Sequence, residues 1–280
     1  MGLPLLPKEA DFTPEKKPFI NFYAKNQEDR YPKDLFTLVH PDTGVFIANC
    51  GKTHKASNFI DRYEPFRIRL EASNLLNLND VMGEPRLYNE GAALQARFRV
   101  KHDEIPKILH EPAGLRVTYR DSHDQSCRSS IHIEILRLAC TNGMIGVAKD
   151  CTITSKHTTF DNPHTFSQKL SKLMANVMYE AELMQKMQGV VVTEDQALNF
   201  IENSVASSKK DLERVESIYR HYANLGNTGY RMLQVVTHLS SHPTERQRKS
   251  NNKFQTTLNL ESKSEKILRS KEFHALCVPA

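Results

Sequence analysis

The stretch from Leu115 to Met144, LRVTYRDSHDQSCRSSIHIEILRLACTNGM, restricts the fold more than any other part of the chain. It opens with period-two alternation: Leu115, Val117 and Tyr119 point one way and Arg116, Thr118 and Arg120 the other. A polar turn follows, Asp121 to Ser126, rich in side chains that bond their own backbone. The next run sets Ile131, Ile133 and Ile135 against His132 and Glu134, continues to Cys140 and breaks at Thr141-Asn142-Gly143. The pattern predicts two antiparallel strands, central in a sheet.

The chain has 280 residues, enough for one large domain or two small ones with an ample core. No run reaches the roughly 18 apolar residues of a membrane span, and the opening MGLPLLPKEADF is too short in apolar residues for a secretory signal. Five widely spaced cysteines without a CxxC suit reduced thiols better than a disulfide frame. The net charge is +5, from 38 basic and 33 acidic residues, so where the charge sits matters more than its total.

Residues 1–35 carry Pro4, Pro7, Pro14, Pro18 and Pro32 among alternating charges and are expected to form an extended arm. Residues 36–160 read as an antiparallel β-rich domain. Leu35 to Cys50 predicts a hairpin turning at Pro41-Asp42-Thr43-Gly44. Gly51-Lys52-Thr53 is a turn and not a phosphate loop, because the required earlier glycine would fall at Phe46. Tyr63 to Leu70 and Ala93 to Lys101 alternate as strands, with a short helix over residues 71–82 between them and another over Asp103 to His110. Ile145 to Thr154 predicts one more strand.

From His164 the period changes to 3.6. Phe166, Leu170, Leu173, Val177, Ala181 and Met184 form one apolar stripe, and further helices start at the capping signatures of Thr193 and Ser208 and near Thr228. Their stripes need a partner, so the helical region 164–242 is expected to pack on the sheet. Strands first and helices afterwards make this an α+β fold. Residues 243–280 hold eight basic residues against four acidic ones between Glu245 and Glu272, and are expected to be a basic mobile tail.

The turn His123-Asp124 near Ser126, the strand end Arg137-Leu138-Ala139-Cys140-Thr141-Asn142-Gly143-Met144, and then His157-Thr158 resemble the phage/plasmid-like protein family built on domain of unknown function 932. Downstream, Gly226-Asn227-Thr228-Gly229-Tyr230, Val235-Val236-Thr237-His238 and His242 look like that family's helical end, so the similarity runs from about Tyr63 to His242. One position departs: Gln125 stands where the family's turn has glycine. The resemblance implies a phage or plasmid genome and a bacterial cytoplasm. It implies no activity, because the family is named for lacking one.

Three strand candidates set cations opposite their apolar residues: Arg67 and Arg69; Arg97, Arg99 and Lys101; Arg116 and Arg120. On neighbouring strands these would make one basic sheet face opposed only by Asp121 and Glu134, the footprint of a surface that tracks phosphates. Tyr119, Phe98 or Tyr88 at its edges would stack unpaired bases. The bland alternative is an ordinary solvated sheet face. Cys140, Cys151, His132, His157 and His164 are natural zinc ligands, but their spacings match no zinc motif, and neither a metal nor a catalytic Cys140–His157 pair is assigned. The carboxylates Asp121, Asp124, Glu134 and Asp150 lack nuclease spacing, and Asp121 and Asp124 read as turn formers.

These observations favour a phage- or plasmid-encoded single-stranded DNA-binding protein, an annealing factor in replication or recombination, over an enzyme, with no cofactor. Arg97, Arg99, Lys101, Arg116 and Arg120 would contact phosphates and Tyr119 would stack, and a homo-oligomer would suit annealing. The alternative is a mobile-element protein that binds and inhibits a host defence complex.

Overall fold

The computed structural model describes residues 3–23, 25, 26, 30, 32–73, 75–137, 143, 144, 151–155 and 163–279. Its strands are β1 (Glu15–Pro18), β2 (Leu35–Val39), β3 (Phe46–Gly51), β4 (Asn77–Met82), β5 (Pro85–Tyr88), β6 (Ala93–Lys101), β7 (Ala113–Ser122), β8 (Ser129–Arg137), β9 (Gly143–Met144) and β10 (Thr152–Ser155). Its α-helices are α1 (Phe59–Ala72), α2 (Glu104–Leu109), α3 (Pro163–Met187), α4 (Glu194–Phe200), α5 (Lys209–His221), α6 (Gly229–Ser241), α7 (Glu245–Arg248), α8 (Lys253–Leu268) and α9 (Lys271–Cys277). The fold is α+β. A small sheet has the order β1-β2-β3; the larger one runs β10-β8-β7-β6-β4, with β5 also on β6 and β9 also on β8.

The chain divides into two compact units that interleave in sequence. One comprises Met1–Phe98, Val117–His132 and Thr152–Leu170; the other comprises Arg99–Arg116, Ile133–Cys151 and Ser171–Ala280. The long strands β6, β7 and β8 pass through both, so the chain is not cut into successive sheet and helix domains.

In the first unit the hairpin forms as its turn residues dictate, with Leu35 opposite Gly51 and Leu38 opposite Ala48. Phe12, Leu38, Ile47, Ala48, Cys50 and Ala92 form its core. The N-terminal segment is not a loose arm. Leu3, Ala10 and Phe12 are buried, Tyr63 Oη donates to the Pro4 carbonyl at 2.8 Å, and β1 pairs antiparallel with β2. Lys16 secures β1: its Nζ donates to the carbonyls of Gly51, Lys52 and His54 at 3.0, 2.7 and 3.1 Å.

Tyr63 to Leu70 is helical, within α1, and not a strand. Phe59, Tyr63, Phe66 and Leu70, spaced by four, three and four residues, are its buried stripe, and Asn58 caps its start by accepting from Ile60 N at 2.8 Å. The alternation across Phe66, Ile68 and Leu70 is incidental, since Ile68 is 55% exposed. Residues 77–82, expected to be helical, form β4. Gly83 follows at φ +139°, where a Cβ would lie 2.0 Å from the Arg97 carbonyl oxygen, so only glycine fits there.

In the second unit, α4, α5 and α6 begin at the predicted caps, with Thr193, Ser208 and Thr228 accepting from the backbone. Arg231 lies 3.5 Å above the Tyr219 ring and donates to the Tyr219 carbonyl at 3.0 and 2.8 Å, tying α6 to α5. Residues 243–280, expected to be mobile, instead form α7, α8 and α9. Phe254, Leu268, Phe273 and Cys277 are essentially inaccessible, and Ser264 Oγ donates to the Val236 carbonyl at 3.1 Å. Gly229 completes this packing, since a Cβ there would lie 2.3 Å from the Cys277 carbonyl oxygen.

Candidate functional site

The basic sheet face expected from strand alternation is not formed. Arg67 and Arg69 belong to α1, where Arg67 bonds Glu64 and Glu71 at 2.9 Å each on its own helix. Of the six residues expected to meet a polyanion, Arg99 and Lys101 are exposed, at the end of β6, and Arg97 is half-buried on the same strand.

Tyr119 and Arg120 are buried, at 2% and 4% exposure. The Tyr119 ring stacks on Phe66 at 5.0 Å and meets Tyr63 edge-on at 5.4 Å. Its hydroxyl donates to Asp121 Oδ2 at 3.0 Å and lies 3.2 Å from Ser129 Oγ. Burial and the Asp121 charge hold its pKa well above the ordinary tyrosine value. No base can reach this ring, so the stacking role assigned to Tyr119 is corrected to a core role. Asp121 is likewise more than a turn former. It is fully buried and paired with Arg62 from α1, which is 3% exposed and also bonds Ser57. Thr118, Arg120 and Ser122 are buried too, so both faces of β7 are covered over this stretch. Alternation told the two faces of the strand apart but did not leave one of them in water.

Arg116 is engaged in the second unit. Its Nε donates to Glu134 Oε2 at 2.5 Å. Burial opposes its charge, but Glu134, with Glu261 adding to it, outweighs that and raises its pKa. Arg137 pairs with Glu111 at 2.6 Å, and Tyr230 of α6 donates to the same carboxylate. These guanidinium groups are internal cross-links.

The metal and thiol candidates fare similarly. Cys140, His157 and Asp150 lie outside the described residues. His132 has both ring nitrogens against hydroxyls, Nε2 3.1 Å from Ser130 Oγ and Nδ1 3.0 Å from Thr152 Oγ1. Among the described residues no group of three or more His, Cys, Asp or Glu side chains is placed to hold a metal ion. Burial pushes the thiols of Cys127 and Cys277 up to about 12, far from the thiolate a nucleophile needs. Asp124 shapes its turn as expected, accepting from Ser126 N at 2.9 Å. Gln125, standing where glycine was expected, takes φ +61° and so keeps the glycine-like conformation.

A larger group of accessible cations lies elsewhere, in and beside helices of the segment the sequence had suggested was mobile. All eight basic residues between Arg246 and Lys271 are exposed. Lys249 pairs with Glu245 at 2.6 Å, Arg269 with Glu265 at 3.0 Å, and Lys263 with Asp211 at 3.8 Å. Arg246, Lys253, Lys266 and Lys271 make no ion pair among the described residues. On α8, Lys266 lies on the side away from Phe254, Ser264, Ile267 and Leu268, which face the core, while Lys263, one turn before Ile267, reaches toward Asp211 of α5. The signal was the charge itself; what hid it was the polar composition that suggested disorder.

Fold and surface together define an α+β protein with arginines locked in its interior and a basic helical surface near its C-terminus. Among the described residues no helix is long and apolar enough to cross a membrane. The model of the family defined by domain of unknown function DUF932 matches residues 89–263, and the chain belongs to that family. The match starts later than the resemblance read from Tyr63 and runs on past His242 into α8. Neither the curated proteins nor the solved structures returned a match.

Proposed function

We propose that this protein binds single-stranded DNA, as the product of a phage or plasmid genome acting in annealing during replication or recombination. The observation carrying the reading is the exposure of all eight cations between Arg246 and Lys271, in or at the ends of α7, α8 and α9. A polyanion gains most from cations held in place and not already neutralised, because each phosphate contact releases condensed counterions. Arg99 and Lys101 belong to the same compact unit and add two exposed charges. Arg116, Tyr119 and Arg120 are not part of this surface.

The test is the salt dependence of binding to a labelled oligothymidylate. The triple variant Lys253→Ala, Lys266→Ala, Lys271→Ala is expected to weaken binding and to reduce the slope of log K against log salt by about 2. A wild-type affinity indifferent to salt, or no retention of the oligonucleotide, removes the proposal. Retention of one stoichiometric host protein in its place would favour the defence-inhibitor alternative.

A further inference from the structure

The loop between β1 and β2 carries a feature that the cationic surface does not explain. Phe22 is 75% exposed and Tyr23 is 97% exposed, side by side in sequence, and Ile20 is 40% exposed. The same unit buries Phe12, Phe59, Tyr63 and Phe66, so aromatic residues are not left outside it by default.

The backbone holding the two rings is organised. Phe19 N donates to the Leu35 carbonyl at 3.2 Å and Asn21 N to the Arg30 carbonyl at 3.0 Å, and these bonds close the neck of the loop. Asn21 Oδ1 then accepts from Tyr23 N at 3.1 Å, turning the chain at the rings. Arg30 N donates back to the Asn26 carbonyl at 3.2 Å. Exposed cations flank the aromatics: Lys17, which pairs with Glu15 at 3.1 Å, before them, Lys25 just after, and Lys33 on the returning segment. Lys25 and Lys33 make no ion pair among the described residues.

Exposed rings flanked by lysines meet the two demands of an unpaired nucleic-acid strand: π faces for its bases and cations for its phosphates. We infer that Phe22 and Tyr23 form a stacking platform for consecutive bases of single-stranded nucleic acid, with Lys17, Lys25 and Lys33 as its phosphate contacts. This rests on the nucleic-acid reading above and adds the element that supplies stacking, the role Tyr119 cannot fill.

The test compares wild type, Phe22→Ala/Tyr23→Ala and Phe22→Tyr/Tyr23→Phe for binding to labelled oligothymidylate across a salt series. The double alanine variant is expected to bind roughly 30-fold more weakly or worse, since each stacked base contributes about 1–3 kcal/mol. Its salt slope stays at the wild-type value because no charge is removed. The aromatic exchange keeps affinity within a few fold. Ultraviolet crosslinking of the bound oligonucleotide should map to Phe22 or Tyr23. If wild type binds and the double alanine variant binds equally well, the platform is wrong and the cationic surface stands. If wild type does not bind, both fall. A change in the variant's sedimentation with unchanged oligonucleotide affinity would assign the rings to contact with a second copy and overturn the inference.

Discussion

The protein's interior and its C-terminal helical surface use their cations in opposite ways. In the first, Arg62 and Arg120 are 3% and 4% exposed, and Arg62 is clamped to the fully buried Asp121. In the second, the cations in and at the ends of α7, α8 and α9 all stand in water, and Lys249 and Arg269 each pair with a carboxylate one helical turn away. A guanidinium out of water must be matched, so it serves the interior; an exposed cation remains available to a ligand. Counting basic residues along strands therefore pointed to arginines already committed to the core.

The sharpest way to break this contrast is to remove one half of the buried pair. Asp121→Ala leaves Arg62 buried without its carboxylate and also strips the Tyr119 hydroxyl of a partner. It is expected to lower unfolding free energy by about 3–5 kcal/mol, read by denaturant titration. A loss under about 1 kcal/mol would mean that the pair is not structural.

A second test uses pH. His238 on α6 accepts or donates at Nδ1 to Tyr222 Oη at 2.9 Å, and its ring stacks on His242 at 4.1 Å. Burial, with His242, His221 and Arg214 adding repulsion, lowers its pKa to about 4. Because the folded pKa lies below the unfolded value, the unfolded chain takes up the proton first. Stability is then complete above about pH 6.5 and falls as pH drops toward 4. The part due to His238, discounted for its half-exposed position, is about 1–2 kcal/mol. His238→Gln should flatten that stretch of a stability–pH curve, and an unchanged curve would refute the assignment.

Smaller effects follow. Gln125 holds φ +61°, so Gln125→Gly is expected to stabilise the first unit by about 0.5–1 kcal/mol, relief of the left-handed strain outweighing the added freedom of the unfolded chain. A lowered melting temperature would show that the 3.4 Å bond from its Nε2 to the Asn49 carbonyl matters more. Least of all, Lys249→Ala should change stability by no more than about 0.5 kcal/mol, because both partners of its ion pair are largely exposed. A larger loss would place the C-terminal cations with the structural ones and weaken the contrast.

Local patterns in the sequence carried much of the fold. The alternation of Leu115 to Tyr119 and of Ile131 to Ile135 became β7 and β8, the Pro41-Asp42-Thr43-Gly44 turn joined β2 to β3, and Thr193 and Ser208 capped helices. The failures have physical causes. Around Pro65, the alternation of Phe66, Ile68 and Leu70 hid the longer helical stripe that begins at Phe59. The tail's serines, asparagines and charges obscured Phe254, Ile267, Leu268 and Phe273, which anchor it. Whether the polar side of β7 meets water depends on what packs over it, and no pattern within ten residues of strand encodes that. The exposed pair Phe22 and Tyr23 was visible as letters, but their exposure became evident only once the neighbouring aromatics had found places inside.

Because β6, β7 and β8 each contribute to both units, there is no bond at which the polypeptide can be severed to release one unit whole. Shortened fragments would lose folding along with whatever residues they lack, and an inactive fragment would say nothing about where a ligand sits. Full-length proteins with single side chains exchanged are the instrument that this interleaving demands.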